Sequence, residues 1–273
     1  MRCIFCKIES STSIGCEHIL PESLGNTTQV LPAGVVCDKC NNYFSRKVEK
    51  PFLESPSIRA LRCNQGIPSK RGNIPEISGL VLPDFPAVIQ RKLKKQGVDT
   101  IITVHPKAFE SIASGKTTKL VIPLGGEPPE GKVLSRFIAK AAFESMAQRL
   151  LDHSKMLNLW IDDPQMDDLR KHARRGQIEN WPIHVRRIYD ANRCVTDGVL
   201  PALQTVHESD FLMTEKREMF FMAAIFGVEM TINVAGPSID GYLEWLDQNH
   251  GASPLYHGKN AIVGPWPVRP PNT

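Results

Sequence analysis

Two Cys-x-x-Cys pairs, Cys3-Ile-Phe-Cys6 and Cys37-Asp-Lys-Cys40, are separated by 30 residues and constrain this chain more than any other feature. Four thiolates at such spacing suit a tetrahedral Zn²⁺, which binds sulfur well and makes no geometric demand of its own. A metal joining the pairs closes the intervening chain into a loop. The chain carries seven cysteines in 273 residues and opens "MRCIFCKIES", without the long apolar run of a secretory signal. Disulfides are therefore not expected, metal ligation is favoured, and a cytoplasmic location is the expectation. Cys16, Cys63 and Cys194 have no comparable partner and are not expected to be ligands. Large apolar residues look sparse in the first 54 positions, too sparse for a substantial core. Structural zinc contributes on the order of 10–16 kcal/mol in small zinc peptides, so zinc rather than packing is expected to hold this module together.

The remaining composition excludes more than it assigns. Apolar content of 41% and charged content of 23% are ordinary for a folded globular protein and too apolar for a disordered one. A formal net charge of +4 is too small to prove a nucleic-acid partner by itself. The most apolar stretch, residues 219–236, is interrupted by Glu229 and Asn233 and falls short of a membrane span. No membrane association is expected.

Along the chain, the pattern changes twice. Residues 1–54 read as a cysteine module in which "VLPAGVVCDKC" enters the second knuckle as a strand and "NNYFSRKVEKPFLES" continues as a helix. Residues 55–78 are rich in Pro, Gly, Ser and basic side chains, which predicts a surface linker. Residues 79–273 read as a larger mixed domain. There, 87–95 and 98–106 predict a hairpin, 117–124 a strand, 131–152 and 162–176 helices, 182–190 and 219–236 strands, and "SIDGYLEWLDQNH" a short helix. In 131–152, Leu134, Ile138, Ala141 or Ala142, Met146 and Leu150 predict one apolar face. The fold class expected is α+β: a small zinc-stabilised N-terminal module and a larger α+β domain.

Between the knuckles stands "CEHILPESLGN", with Glu17 beside His18, and directly after the last cysteine stands Asn41. A metal that joins the knuckles brings acid, imidazole and amide to one place. The segments "CIFC", "EHILPESLGN" and "VVCDKCNNYF", in this order, resemble the HNH endonuclease family, whose ββα-metal fold often carries an added Cys₄ zinc in a treble-clef setting. The resemblance covers about the first 50 residues. It implies a metal-dependent nuclease acting on DNA, with His18 as general base and Glu17 and Asn41 as ligands of a catalytic Mg²⁺ or Mn²⁺. Cys3, Cys6, Cys37 and Cys40 are then ligands of a structural Zn²⁺. The pattern departs from the family at its middle asparagine: the usual place falls near Pro32, and either Asn26 or Pro32 is left to stiffen the loop.

The chemistry suits phosphodiester hydrolysis. A histidine of ordinary pKa, about 6.5, is basic near neutral pH. A hard divalent ion relieves charge on phosphate and leaving oxygen with few protein ligands. Glu49 lies about 12 Å beyond Asn41 by helix rise and is not expected at the site. Arg59, Arg62, Lys70 and Arg71 follow the module directly and are expected to contact DNA phosphates, each contact adding about 0.9 to the log–log salt slope. Three alternatives stay open: a non-catalytic zinc-dependent nucleic-acid-binding module, RNA as the substrate, and a downstream region that recognises DNA, senses a small molecule or pairs two copies of the chain.

Overall fold

The computed structural model describes residues 1–255 apart from positions 27, 95–96, 117–118, 124–125, 127, 179, 192–193, 196–202 and 205–206. Strand β1 (Glu17–His18) pairs antiparallel with β2 (Val30–Leu31), setting Glu17 opposite Leu31 and His18 opposite Val30. Helix α1 (Asp38–Phe44) starts on the second knuckle, passes through a π-helical stretch (Ser45–Glu49) and ends as α2 (Lys50–Leu53). The N-terminal module is thus ββα, as expected.

Next come α3 (Pro56–Asn64), β3 (Ile77–Val81), β4 (Phe85–Lys94), β5 (Gly97–Val104), α4 (Pro106–Ala113) and β6 (Leu120–Val121). Beyond them lie α5 (Gly131–Leu150), α6 (Ser154–Asp162), a 3₁₀ turn at Pro164–Met166, and α7 (Asp167–Arg175). The rest is β7 (Ile183–Arg187), β8 (Cys194–Val195), β9 (Leu203–Gln204), β10 (His207–Met213), β11 (Met219–Ile225), β12 (Val228–Asn233) and α8 (Asp240–Gln248). The expected hairpin is β4–β5 and the expected pair in 219–236 is β11–β12. Of the strand expected over 117–124, Leu120–Val121 is seen, while positions 117, 118 and 124 lie outside the described residues. Position 96 of the hairpin turn and the side chain of Cys194 also lie outside them.

Two compact units emerge, and they are not drawn at the expected boundaries. One combines residues 1–21 and 26–52 with 130 onward; the other holds Glu22–Gly25 and Leu53–Pro129. The second unit is a sheet of order β5-β4-β3-β6, with Ala60 and Cys63 of α3 packed on Ile74, Ile77 and Ile89, and Ala108 of α4 on Val81 and Ala87. Residues 55–78, expected as a linker, therefore contain a packed helix and a strand. Ser55-Pro56 is a helix start, since proline at the first helical position loses an N–H that would have no partner anyway.

In the first unit, α5 is the central element. It buries Leu134, Phe137, Ile138 and Phe143 but also Ser135, Lys140 and Glu144, so it is enclosed on more than the single face expected. It packs against α6, α7, the π-helical stretch and strands β11 and β12. Phe137 stacks on Phe52 of α2, with centroids 3.8 Å apart and planes at 4°. Phe5, at the first knuckle, meets Phe44 at 4.3 Å and Phe143 at 5.6 Å. The module buries Ile4, Phe5, Ile19, Leu31, Phe44, Val48 and Phe52 almost completely. The expectation that zinc alone organises it is corrected: the module shares an apolar core with α5.

The sheet of this unit has order β10-β11-β12-β7, antiparallel throughout. Glu229, which interrupts the apolar run of 219–236, is wholly buried in β12. It accepts hydrogen bonds from Arg186 Nε (2.5 Å), Tyr242 Oη (2.7 Å) and Ser253 Oγ (2.5 Å), so the buried charge is both paired and solvated by the protein. Among the described residues, no helix is long and apolar enough to cross a membrane.

Candidate metal centre and catalytic site

The four cysteines of the two knuckles meet. Their Sγ atoms all lie within 4.8 Å of one another, and Cys6 and Cys37 are 3.6 Å apart. Tetrahedral zinc with bonds of about 2.3 Å requires S···S separations of about 3.8 Å, so the cluster fits the ion and leaves no open position. Hydrogen bonding from Cys40 holds the Cys3 thiol down at about 4 against the opposing effect of burial, and the backbone amides of Cys37, Cys6 and Phe5 assist. Cys16 is exposed and outside the cluster, and Cys63 is buried in the other unit.

From this frame the chain runs into β1. Strand alternation turns Glu17 inward, 4% exposed, while His18 stays half-buried on the other side. Asn26, fully buried, braces the loop between β1 and β2: its Nδ2 donates to the carbonyls of Leu20 (2.7 Å) and Gln29 (3.0 Å), and its Oδ1 accepts from the amides of Thr28 (3.2 Å) and Gln29 (2.9 Å). Of the two residues left to stiffen the loop, Asn26 braces it with these bonds, and Pro32 is exposed.

Helix α1 grips the approach to β1 with two side chains one turn apart. Asp38 Oδ1 accepts from Gly15 N at 2.9 Å, and Asn41 Nδ2 donates to Cys16 O at 3.0 Å. A side chain at position 15 would place its Cβ 2.9 Å from Asp38 Oδ1 and so would displace that carboxylate. Asn41 thereby lies against the residue that precedes Glu17.

Glu17 meets a partner that sequence reasoning missed. Lys140 Nζ, on α5 and fully buried, lies 2.7 Å from Glu17 Oε1, 2.8 Å from Glu49 Oε1 and 2.8 Å from Glu144 Oε2, and donates to His18 O at 3.0 Å. Burial alone would push the ammonium down, but the carboxylates of Glu144, Glu17 and Glu49 outweigh it and hold Lys140 well above its ordinary value. Burial pushes Glu144 well up, and the neighbouring acids add to this, while Lys140 opposes it. Glu49, set aside on helix-rise grounds, reaches this cluster from the end of the π-helical stretch. No spacing signal marks Lys140; an i, i+4 lysine–glutamate pair within an apolar helix was the one available hint.

The residues suit a hard divalent ion in their chemistry. Asn41 offers an amide oxygen, Glu17 a carboxylate, and His18 Nδ1 is a buried ring nitrogen with no hydrogen-bond partner among the described residues. An ion at Glu17 would share that carboxylate with the Lys140 ammonium.

The basic residues expected at a nucleic-acid surface do not act as a set. Arg62 is 6% exposed, and burial, followed by the charge of Arg59, pushes its guanidinium down. Its position on the inward face of α3 corrects its place on that surface. Arg59 donates to Glu76 O at 2.8 Å, and Lys70 and Arg71 are exposed.

Residues 3–57 match the profile of a family described as HNH endonuclease. The match contains both knuckles, β1, β2 and the helix through α2, and stops short of α5. Neither the curated proteins nor the solved structures give a match to the chain.

Proposed function

We propose that the chain is a metal-dependent endonuclease that hydrolyses phosphodiester bonds of DNA, with His18 as general base. The observation that carries this reading is the setting of His18: within a family-matched segment, its Nδ1 has no partner among the described residues and its carbonyl is held by Lys140. With its backbone so held, the histidine supplies a ring nitrogen to take a proton from a water attacking phosphorus, as the bond to the 3′-oxygen breaks. Asn26 fixes the loop behind the histidine, and Asn41 fixes the strand in front of it. Mg²⁺ or Mn²⁺ held by Glu17 and Asn41 supplies, when bound, relief of negative charge on the phosphate and leaving oxygen. The Cys₄ zinc, closed to further ligands, is structural.

A second reading draws on one observation. Because Glu17 is engaged by Lys140, the module also suits a zinc-organised nucleic-acid-binding unit without catalysis. Incubation of supercoiled plasmid with the zinc-loaded chain separates the two. Nicked or linear product that appears only when Mg²⁺ or Mn²⁺ is added supports the nuclease. Binding without any product under either ion supports the second reading.

A further inference from the structure

Where α7 meets the first zinc knuckle, the two enclose a cleft of about 480 Å³. Five basic residues and a single acid line it, an excess of four charges that equals the formal net charge of the entire chain. Lys7 comes from the knuckle, and Arg170, Lys171, Arg174 and Arg175 from α7. Asp167 is the acid, and its carboxylate is already occupied: Lys7 Nζ lies 2.8 Å away and Arg170 also pairs with it. Arg170 is structural, donating to Ile4 O and Ile161 O, each at 2.9 Å. Among the described residues neither Arg174 nor Arg175 has a carboxylate partner, and Lys171 and Arg175 are exposed.

Cations at the end of α7 complement its dipole, and that would account for Arg174 and Arg175 alone. It does not account for Lys7. This residue sits at φ 61°, a left-handed conformation in which glycine or asparagine is less strained, yet it carries a long cation to the same cleft. Lys171 Nζ lies 3.8 Å from Asp168 Oδ1, so Arg174 and Arg175 are the cations left without a carboxylate, and a concave site with such a surplus of positive charge matches the phosphates of a polyanion.

We infer that the cleft formed by the first zinc knuckle and α7 is the surface on which this protein holds a phosphodiester backbone, with Lys7, Lys171, Arg174 and Arg175 as the phosphate contacts. The inference deepens the nuclease reading and rests on it for the identity of the ligand. It places most of the backbone binding on α7, beyond the matched segment, in the unit that contains His18. Contacts of this kind position a strand without reading its sequence.

The experiment measures fluorescence anisotropy of a short DNA duplex, and of an RNA strand of equal length, with the full-length zinc-loaded chain and no added divalent ion. Proteins compared are the unaltered chain, the double variant Lys171→Gln/Arg175→Gln, and the double variant Lys70→Gln/Arg71→Gln. Both cleft positions are exposed, and thermal melting verifies that each variant is folded. The cleft variant is expected to lose about tenfold or more in affinity, and its log–log salt dependence to become shallower by about 0.9 for each lost phosphate contact on duplex DNA, or about 0.7 on a single strand. The nucleic acid that shows this loss is the ligand. Equal affinity and equal salt slope for the cleft variant on both nucleic acids, or a loss confined to the Lys70/Arg71 variant, would overturn the inference. A plasmid-cleavage assay run in parallel keeps the readings apart: cleavage without an effect of the cleft variant sinks the cleft alone, and a cleft effect without cleavage sinks the nuclease alone.

Discussion

Lys140 Nζ lies 2.7 Å from Glu17 Oε1, so a side chain from the middle of the chain, on the long helix α5, completes the environment of a strand near its start. The same ammonium reaches Glu49, Glu144 and the carbonyl of His18. Three carboxylates gathered in the interior repel one another unless a cation stands among them, and Lys140 is that cation. The consequence is that the geometry of β1 depends on residues far outside the family-matched segment.

Replacement of Lys140 by methionine is expected to cost about 3–5 kcal/mol of stability, because removal of one partner leaves buried carboxylates uncompensated. Chemical denaturation measures this. Cleavage by the folded fraction is expected to fall as well, since the His18 carbonyl loses its anchor. A variant as stable as the parent would show that the cluster is not ionised as described.

A fragment of residues 1–54 is expected not to fold even when saturated with zinc. Its Phe5 and Phe52 lose their contacts with Phe143 and Phe137, and Glu17 loses Lys140. Dispersed amide resonances in the NMR spectrum of the zinc-loaded fragment would contradict this.

Much of the site was legible because it is local. The Cys-x-x-Cys spacing, the Glu17-His18 pair and Asn41 after the last cysteine fix the zinc frame and the ββα order without knowledge of distant contacts. The hairpin β4–β5 and helix α5 were equally plain from their periodicities. What stayed hidden depends on tertiary partners or on irregular backbone. Lys140 is an ordinary lysine in a helical pattern until the module packs on it. Glu49 was set aside by its distance from Asn41, and its link to Glu17 runs through Lys140, which no local pattern reveals. Helix α3 was concealed by a composition typical of linkers, although Pro56 at its first turn was a start signal. Asn26 and Pro32 could not be told apart as the loop brace, because the four hydrogen bonds of Asn26 depend on how the loop folds.

One zinc per chain is expected by elemental analysis, and Cys37→Ser is expected to lose most of it. The thiolate cage has no spare ligand, and structural zinc contributes on the order of 10–16 kcal/mol in small zinc peptides, so loss of the ion should unfold the module cooperatively. Full zinc content in the serine variant would remove Cys37 from the cage.

His172 supplies a pH signature. Burial, with the charges of Arg136 and Lys132, holds its imidazole down at about 4, while Nε2 lies 2.9 Å from Ser135 Oγ and the ring rests on Trp181. Its folded pKa lies below its unfolded value, so its contribution is present above about pH 6.5 and is lost as pH falls toward 4, a decrease of about 2–4 kcal/mol. Denaturation curves for the parent chain and His172→Gln should diverge in slope across this interval. Parallel pH profiles would show that the imidazole is protonated without penalty in the folded protein.

The most direct test of the account concerns His18. The zinc-loaded parent chain and His18→Ala are compared on supercoiled plasmid with Mg²⁺ or Mn²⁺, with zinc content and melting temperature measured on the same samples. The account predicts equal zinc and near-equal melting but at least a hundredfold loss of cleavage, the low end for removal of a general base. Cleavage by His18→Ala at the parental rate would contradict it.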